Sequence, residues 1–141
     1  MVAALLVGCG GEDRLTKAEY EQKVRSVYAG VQEAFQATAG GQADLADRIE
    51  RAQKELRNAA ADLDESEPPK EVEEQNEQLV DGMREYARDL DELREAAERV
   101  DLRAVEKFND RLPENEAIKR MAEAAEEMKF KGYDLGAIAE E

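Results

Sequence analysis

Residues 69–100 read PKEVEEQNEQLVDGMREYARDLDELREAAERV. Val72, Asn76, Leu79, Met83, Tyr86, Leu90, Leu93, Ala97 and Val100 recur there at alternating steps of four and three. That spacing is a heptad seam, which puts one side of a long α-helix against neighbouring helices. The spacing predicts a helix from about Pro69 to Arg99, because proline suits a first helical turn and cannot continue an earlier helix. Asn76 is the polar member of the seam. Its expected role is to set register or to face solvent near the helix start, not to hold a ligand.

The same periodicity organises the chain on both sides. Upstream, Leu45, Ile49, Ala52, Leu56, Ala59 or Ala60, and Leu63 predict a helix from about Ala43 to Glu65, stopped by Ser66-Glu67-Pro68-Pro69. Before it, Tyr20, Val24, Val27, Val31, Phe35 and Thr38 mark the face of a helix from Thr16 to Thr38, with Tyr28 widening the stripe. Thr16 and Glu19 have the spacing of a capping box, and Gly40-Gly41 is the expected stop. Downstream, Asp101 is a candidate N-cap for a fourth arm whose face carries Leu102, Val105, Phe108 and Leu112. Pro113 should break or kink that arm. A last stretch to about Lys129 turns Ile118, Met121, Ala122, Ala125 and Met128 inward, and Gly132 ends it. The tail from Tyr133 keeps Leu135 and Ile138, which suits docking on the bundle. Short connections between long helices force antiparallel neighbours. The expected fold is all-α, an up-down antiparallel bundle of about four helices with the fourth broken at Pro113. A longer, open three-helix coiled coil, prone to self-association, is the rival.

Composition fits. The 141 residues carry 39% charged and 42% hydrophobic side chains, with no tryptophan. Such a mixture suits amphipathic helices in one domain. Lys and Arg number 20 against 35 Asp and Glu, a net charge of −15. That charge disfavours nucleic acid and anionic headgroups, and should hold the body off a membrane surface. No stretch after Val7 approaches the roughly 20 apolar residues a spanning helix needs.

The chain contains one cysteine, Cys9, so it builds no internal disulfide framework. Cys9 closes the run Leu6-Val7-Gly8-Cys9, after an apolar stretch from Val2 and before the small, polar Gly10, Gly11, Glu12 and Asp13. The run resembles a bacterial lipobox. Gly8 is the small residue needed beside the cleaved bond, and the Cys9 thiol is the nucleophile that takes a diacylglyceryl group. Two chains anchor firmly where one binds marginally. Residues 1–8 then belong to a lipoprotein signal, residues 9–15 form a tether, and residues 16–141 form the acidic bundle. A secretory signal carries a basic start and about 7–15 apolar residues. Here no Lys or Arg precedes Arg14, so the true start is expected upstream of Met1. Together with Pro68-Pro69-Lys70-Glu71-Val72 and the Ala/Glu/Arg-rich heptads, the lipobox is similar to small helical lipoproteins of high-GC Gram-positive bacteria. That resemblance implies an extracytoplasmic, lipid-anchored location and carries over no functional residues.

Catalytic signatures are scarce. Without histidine, the triads, HExxH sites and Glu-x-x-His di-iron bundles are excluded. Ser26 and Ser66 lack a lysine at Ser-x-x-Lys spacing. Gly40-Gly41-Gln42 matches a peptide-release motif, but a helix–helix turn explains it better in an acidic protein. Asp62, Asp64, Ser66 and Glu73 match parts of a calcium loop, but Glu67 stands where that loop needs glycine. A solvated acidic turn is the simpler reading. Tyr20, Tyr28, Phe35, Tyr86, Phe108, Phe130 and Tyr133 could line a pocket, although at helical spacing they read first as core.

No catalytic, metal or cofactor residues are therefore expected; Cys9 is the one site, for lipidation. The leading expectation is a membrane-tethered interaction or structural module that binds another envelope protein. A helical bundle binding a small or lipid-like ligand, with a cavity near the aromatics and Pro113, is the alternative. The sequence leaves the oligomeric state open.

Overall fold

The computed structural model describes residues 13–37 and 44–136, the side chains of 34–37 excepted. Five α-helices follow in order: α1 Lys17–Ala37, α2 Leu45–Asp64, α3 Glu73–Glu98, α4 Leu102–Arg111 and α5 Glu116–Phe130. Short 3₁₀ turns, Lys70–Val72 and Leu112–Glu114, precede α3 and join α4 to α5. No strand occurs among the described residues. The fold is an up-down antiparallel bundle of four arms, the fourth formed by α4 and α5.

Side-chain pairs establish the directions. Along α2 and α3, Gln53 meets Ala87 and Asp91, while Asp64 meets Arg84. Along α3 and the fourth arm, Glu92 meets Arg111, Asp89 meets Asn115, Glu85 meets Arg120 and Gln75 meets Glu127. One number rises as the other falls in both series. Helix α3 thus lies between α2 on one side and α4–α5 on the other, with α1 against α2.

The helix starts are written locally. The Thr16 N–H donates to Glu19 Oε2 at 2.8 Å, and the Glu19 N–H donates back to Thr16 Oγ1 at 3.3 Å. These are the two halves of the capping box. Asp44, Asp101 and Asn115 accept from Ala46, Ala104 and Ile118 N–H groups at 3.1, 3.1 and 3.0 Å. Each satisfies a donor that the helix cannot. Pro113 falls in the 3₁₀ turn, and Asn115 restarts the arm as α5.

Several boundary and packing expectations need correction, among them Ala122, which is exposed rather than turned inward. Helix α3 starts at Glu73, because residues 70–72 form a 3₁₀ turn instead of a first α-turn. The seam itself is buried at Val72, Asn76, Leu79, Met83 and Leu90, while Tyr86, Leu93 and Ala97 are half-buried. Its buried face is wider than a two-residue heptad stripe and adds Gln75, Val80, Gly82, Ala87 and Ala96. A helix with packed neighbours on opposite sides needs that width. Val100 leaves the seam altogether, being 77% exposed, and Leu102 is 73% exposed beside it. Both lie at the α3–α4 corner, where no other arm among the described residues covers them.

Gly82 permits the closest approach of α3 and α5. A Cβ there would overlap the Met121 side chain and sit 3.1 Å from the Ala117 carbonyl oxygen. Ala117, Ala124 and Ala125 continue the small-residue contact along α5. Residues 1–8, Cys9, Thr38, Gly40-Gly41 and Ile138 lie outside the described residues, as does the side chain of Phe35.

Candidate functional site

Two places on the bundle stand apart from ordinary core and surface. The first is the end where the chain enters the fold. The Leu15 N–H donates to the Glu67 carbonyl at 2.8 Å, and Arg14 Nη1 donates to the Pro68 carbonyl at 2.9 Å. The residues leading into α1 are thereby fastened to the α2–α3 turn.

Beneath this lead lies a buried polar junction. The Tyr20 hydroxyl, at 0% exposure, donates to Asn76 Oδ1 at 2.8 Å, and Asn76 Nδ2 donates to the Leu63 carbonyl at 3.2 Å. Asn76 therefore joins three arms, α1, α2 and α3. Of the two roles expected of it, facing solvent is excluded, because Asn76 is buried. Tyr133 packs edge-on against Tyr20, with ring centroids 6.1 Å apart and planes at 84°. Its hydroxyl donates to Glu71 Oε1 at 2.5 Å. Lys131 Nζ donates to the Glu71 carbonyl at 2.6 Å and to Gln75 Oε1 at 2.9 Å. Lys17 Nζ stands 5.0 Å from the centre of the Tyr133 ring. The tail after α5 thus closes the bundle between α1 and the α2–α3 turn, and Leu135 is buried with it.

The electrostatics make this junction structural. Burial pushes both the Tyr20 and Tyr133 hydroxyls above the ordinary tyrosine range, with Glu71 adding to the effect at Tyr133. Both stay protonated as hydrogen-bond donors. A hydroxyl with no exposure cannot meet a substrate, so Tyr20 is not placed for acid–base chemistry.

The second place is the far end of α3. Asp101 N–H donates to the Ala96 carbonyl at 2.9 Å and Val100 N–H to the Ala97 carbonyl at 3.0 Å. This is the Schellman pattern, whose pivotal residue takes the left-handed conformation and is usually glycine. Here it is Val100, with φ at 56°. Helix α5 ends in the same pattern, but with Gly132 at φ 85° and Tyr133 N–H bonded to the Met128 carbonyl at 3.0 Å. A β-branched residue with positive φ is strained. Val100 holds that strain while presenting its side chain to solvent.

Near this end the break at Pro113 leaves an open groove of about 320 Å³ lined by Asp89, Glu92, Phe108, Arg111, Leu112 and Asn115. Its polar groups are paired: Arg111 with Glu92 at 2.8 Å and Asn115 with Asp89 at 2.8 Å. Phe108 is buried beneath them.

Of the other residues singled out by sequence, Asp64, Ser66 and Glu73 line one cleft beside the α2–α3 turn together with Arg14, but each has a partner of its own. Asp64 bonds Arg84, Ser66 Oγ donates to the Leu63 carbonyl, and Glu73 faces Arg14 at 3.5 Å. Asp62 lies at a different cleft, so the calcium-like spacing does not become a metal site. No group of three or more His, Cys, Asp or Glu among the described residues is arranged to hold a metal. Of the aromatics, Tyr20, Phe108 and Tyr133 are buried, and Tyr28 and Tyr86 half-buried. Phe130 is 95% exposed, which corrects its expected place in the core. Met128 is buried, and a residue two positions on is rotated to the opposite side of a helix. Cys9 and Gly40-Gly41-Gln42 lie outside the described residues.

No family model, curated protein or solved structure matches this chain. Among the described residues, no helix is long and apolar enough to cross a membrane.

Sequence reasoning missed the strain at Val100 and two buried glutamines. Gln53 Nε2 donates to the Ala87 carbonyl at 2.7 Å and to Asp91 Oδ1 at 2.9 Å. Gln75 Nε2 donates to Glu127 Oε2 at 2.7 Å. A legible signal existed for Val100. The fourth-arm cap, Asp101, follows the end of α3 so closely that the intervening residue must turn the chain.

Proposed function

We propose that this chain is a membrane-tethered, extracytoplasmic helical lipoprotein. It serves the cell envelope as a protein-interaction or structural module and is not an enzyme. The observation carrying the reading is Leu6-Val7-Gly8-Cys9, which ends an apolar run and contains the chain's one cysteine. Lipid on Cys9 holds the bundle at the membrane, and another envelope protein is its partner.

The fold is consistent with such display. Residues 14–16 join the bundle at one end, beside the α2–α3 turn. The Val100–Leu102 corner lies at the other end of α3, whose 26 residues span about 39 Å. The acidic surface suits a body carried by its anchor rather than drawn down by charge.

The test is the intact mass of the protein extracted from native membranes after expression from its complete locus. A diacylglyceryl adduct on an N-terminal Cys9 supports the reading. An unmodified chain retaining residues before Cys9 overturns it. The alternative, a bundle that binds a small or lipid-like ligand, draws support from the groove at the Pro113 break. Co-purification of a stoichiometric small molecule, lost on Phe108→Ala, would favour it.

A further inference from the structure

We infer that the bundle stands end-on to the bilayer, with Phe130 inserted at the headgroup boundary. This rests on the proposed lipid anchor at Cys9.

The argument begins with reach. Four residue steps separate Cys9 from Asp13, and a fully extended chain covers at most about 3.6 Å per residue, or about 14 Å. From Arg14 onward the chain is fastened to the α2–α3 turn through Leu15 N–H and Arg14 Nη1. A lipid on Cys9 therefore keeps this end of the bundle close to the membrane.

Phe130 belongs to the same end. It is the last residue of α5, and the next residue, Lys131, donates to the Glu71 carbonyl in the α2–α3 connection. An ideal Cβ on Gly132 would lie 3.4 Å from Lys17 Nζ, at the start of α1. Around Phe130 the other large apolar groups, Met128, Tyr133 and Leu135, are buried, whereas Phe130 is 95% exposed. An aromatic ring held in water at the anchored end has an apolar phase within tether range.

The neighbours suit that phase. Exposed Lys129 and Lys131 flank Phe130. Lys131 Nζ is committed to the Glu71 carbonyl and Gln75 Oε1, which leaves the lysine stems as apolar surface that can meet the boundary. The acidic Glu126 and Glu127 lie one turn further from the helix end. The same end carries the exposed acidic residues Glu67, Glu71, Glu73 and Asp134, so the contact expected there is with a zwitterionic rather than an anionic surface.

The chain's single cysteine and lack of tryptophan make the test specific. The full chain is coupled through Cys9 to maleimide-headgroup lipid in phosphatidylcholine vesicles, as Phe130→Trp and, separately, as Leu102→Trp. Circular dichroism confirms that each variant keeps its helicity. Residues that lie in the interface sink about 5–10 Å into the headgroup and acyl boundary, so the Phe130→Trp emission should shift to the blue on coupling and fall about twofold with brominated lipid. Leu102→Trp should remain water-like in both measurements. A water-like Phe130→Trp on the tethered protein overturns the inference, as does equal quenching of both variants, which would mean the body lies flat. Coupling is chemical, so either outcome is independent of whether cells lipidate Cys9. The mass measurement reads that separately.

Discussion

Replacing Val100 with glycine should stabilise this protein, although it deletes an apolar side chain. Val100 occupies the left-handed pivot of the α3 C-terminus, with φ at 56°. For an L-residue that conformation costs about 1–2 kcal/mol. The side chain is 77% exposed, so removing it forfeits little burial. Glycine loses more backbone freedom on folding, which returns about 0.4–1 kcal/mol to the unfolded state. The net gain is about 1 kcal/mol, worth about 3–4 °C in melting temperature for a chain of this size. Val100→Asn separates the two contributions, because asparagine tolerates the left-handed region without glycine's unfolded freedom. Gly132→Ala supplies the opposite sign, since Gly132 fills the same pivot after α5 at φ 85° and an alanine there meets the strain that Val100 already carries. Equilibrium urea unfolding followed by circular dichroism, with melting curves as a second probe, measures all three. If Gly132→Ala weakens the fold while Val100→Gly and Val100→Asn leave it unchanged or weaker, the strain argument fails. Val100 would then be held by contacts its exposure does not reveal, such as those with a second chain.

Other substitutions test the packing and the junction. Gly30→Ala should stabilise by about 0.5–1 kcal/mol, because nothing lies within 4 Å of the new Cβ and alanine is the better helix former. Gly82→Leu should cost about 1–3 kcal/mol in the same urea titration, since a Cβ there already overlaps Met121 and larger groups overpack further. Tyr20→Phe strips Asn76 Oδ1 of its buried donor and should cost about 1–3 kcal/mol, with Asn76→Ala no longer additive in a double-mutant cycle. Alkali should weaken the fold. Tyr20, Tyr133 and Tyr86 are raised above their ordinary value by burial, so the native state holds their protons more tightly than the unfolded chain. Their contribution is complete below the unfolded tyrosine pKa of about 10 and declines as pH rises toward the folded values. Urea midpoints measured upward from pH 9 should fall, and less so in Tyr20→Phe. Acid acts with the opposite sign at Glu19 and Asp91. Hydrogen bonds from Thr16 and Gln53, respectively, lower these carboxyls. Their contribution is present above the unfolded carboxylate range and is lost as pH falls through the folded values, which Glu19→Gln and Asp91→Asn should blunt.

Much of this architecture is legible in local chemistry. The Thr16–Glu19 box, the Asp101 cap and the Pro113 break can be read from a few residues, because each solves a problem within one helical turn. The heptad steps from Val72 to Leu90 likewise find the inward direction of α3. The width of that inward face is not local. Val80, Gly82 and Ala87 are buried because α3 has neighbours on opposite sides, a fact decided by arms distant in sequence. Gln53 and Gln75 are buried for the same reason, since their hydrogen-bond partners lie on other helices. Leu102 shows the converse. Its spacing to Val105 and Phe108 is that of a core face, but it falls at the end of the bundle, where none of the described residues packs over it. Periodicity reports direction around a helix axis and carries no information on whether a neighbour extends that far.

The two helix ends built on the same motif divide the molecule by physical character. At the α5 end the pivot is Gly132, and the residue after it, Tyr133, turns inward to meet Tyr20 and Glu71. The backbone is unstrained there, and the turn adds a large aromatic to the core. At the α3 end the pivot is Val100, and the residue after it is Asp101, whose side chain is committed to capping α4. The corner therefore gains a cap but no inward apolar contact, and carries strain as well. Helix α4 beyond it has Phe108 as its one fully buried residue. Local opening requires the fewest buried contacts to be broken where packing is thinnest. The corner is thus the weaker end, and the clasp of Tyr20, Asn76 and Tyr133 the stronger. The stronger end is also where residues 14–16 leave the bundle, so an anchor at Cys9 would pull on its best-supported part. Under such a load the fold would keep its hold on residues 14–16 while the opposite end retains the freedom to yield.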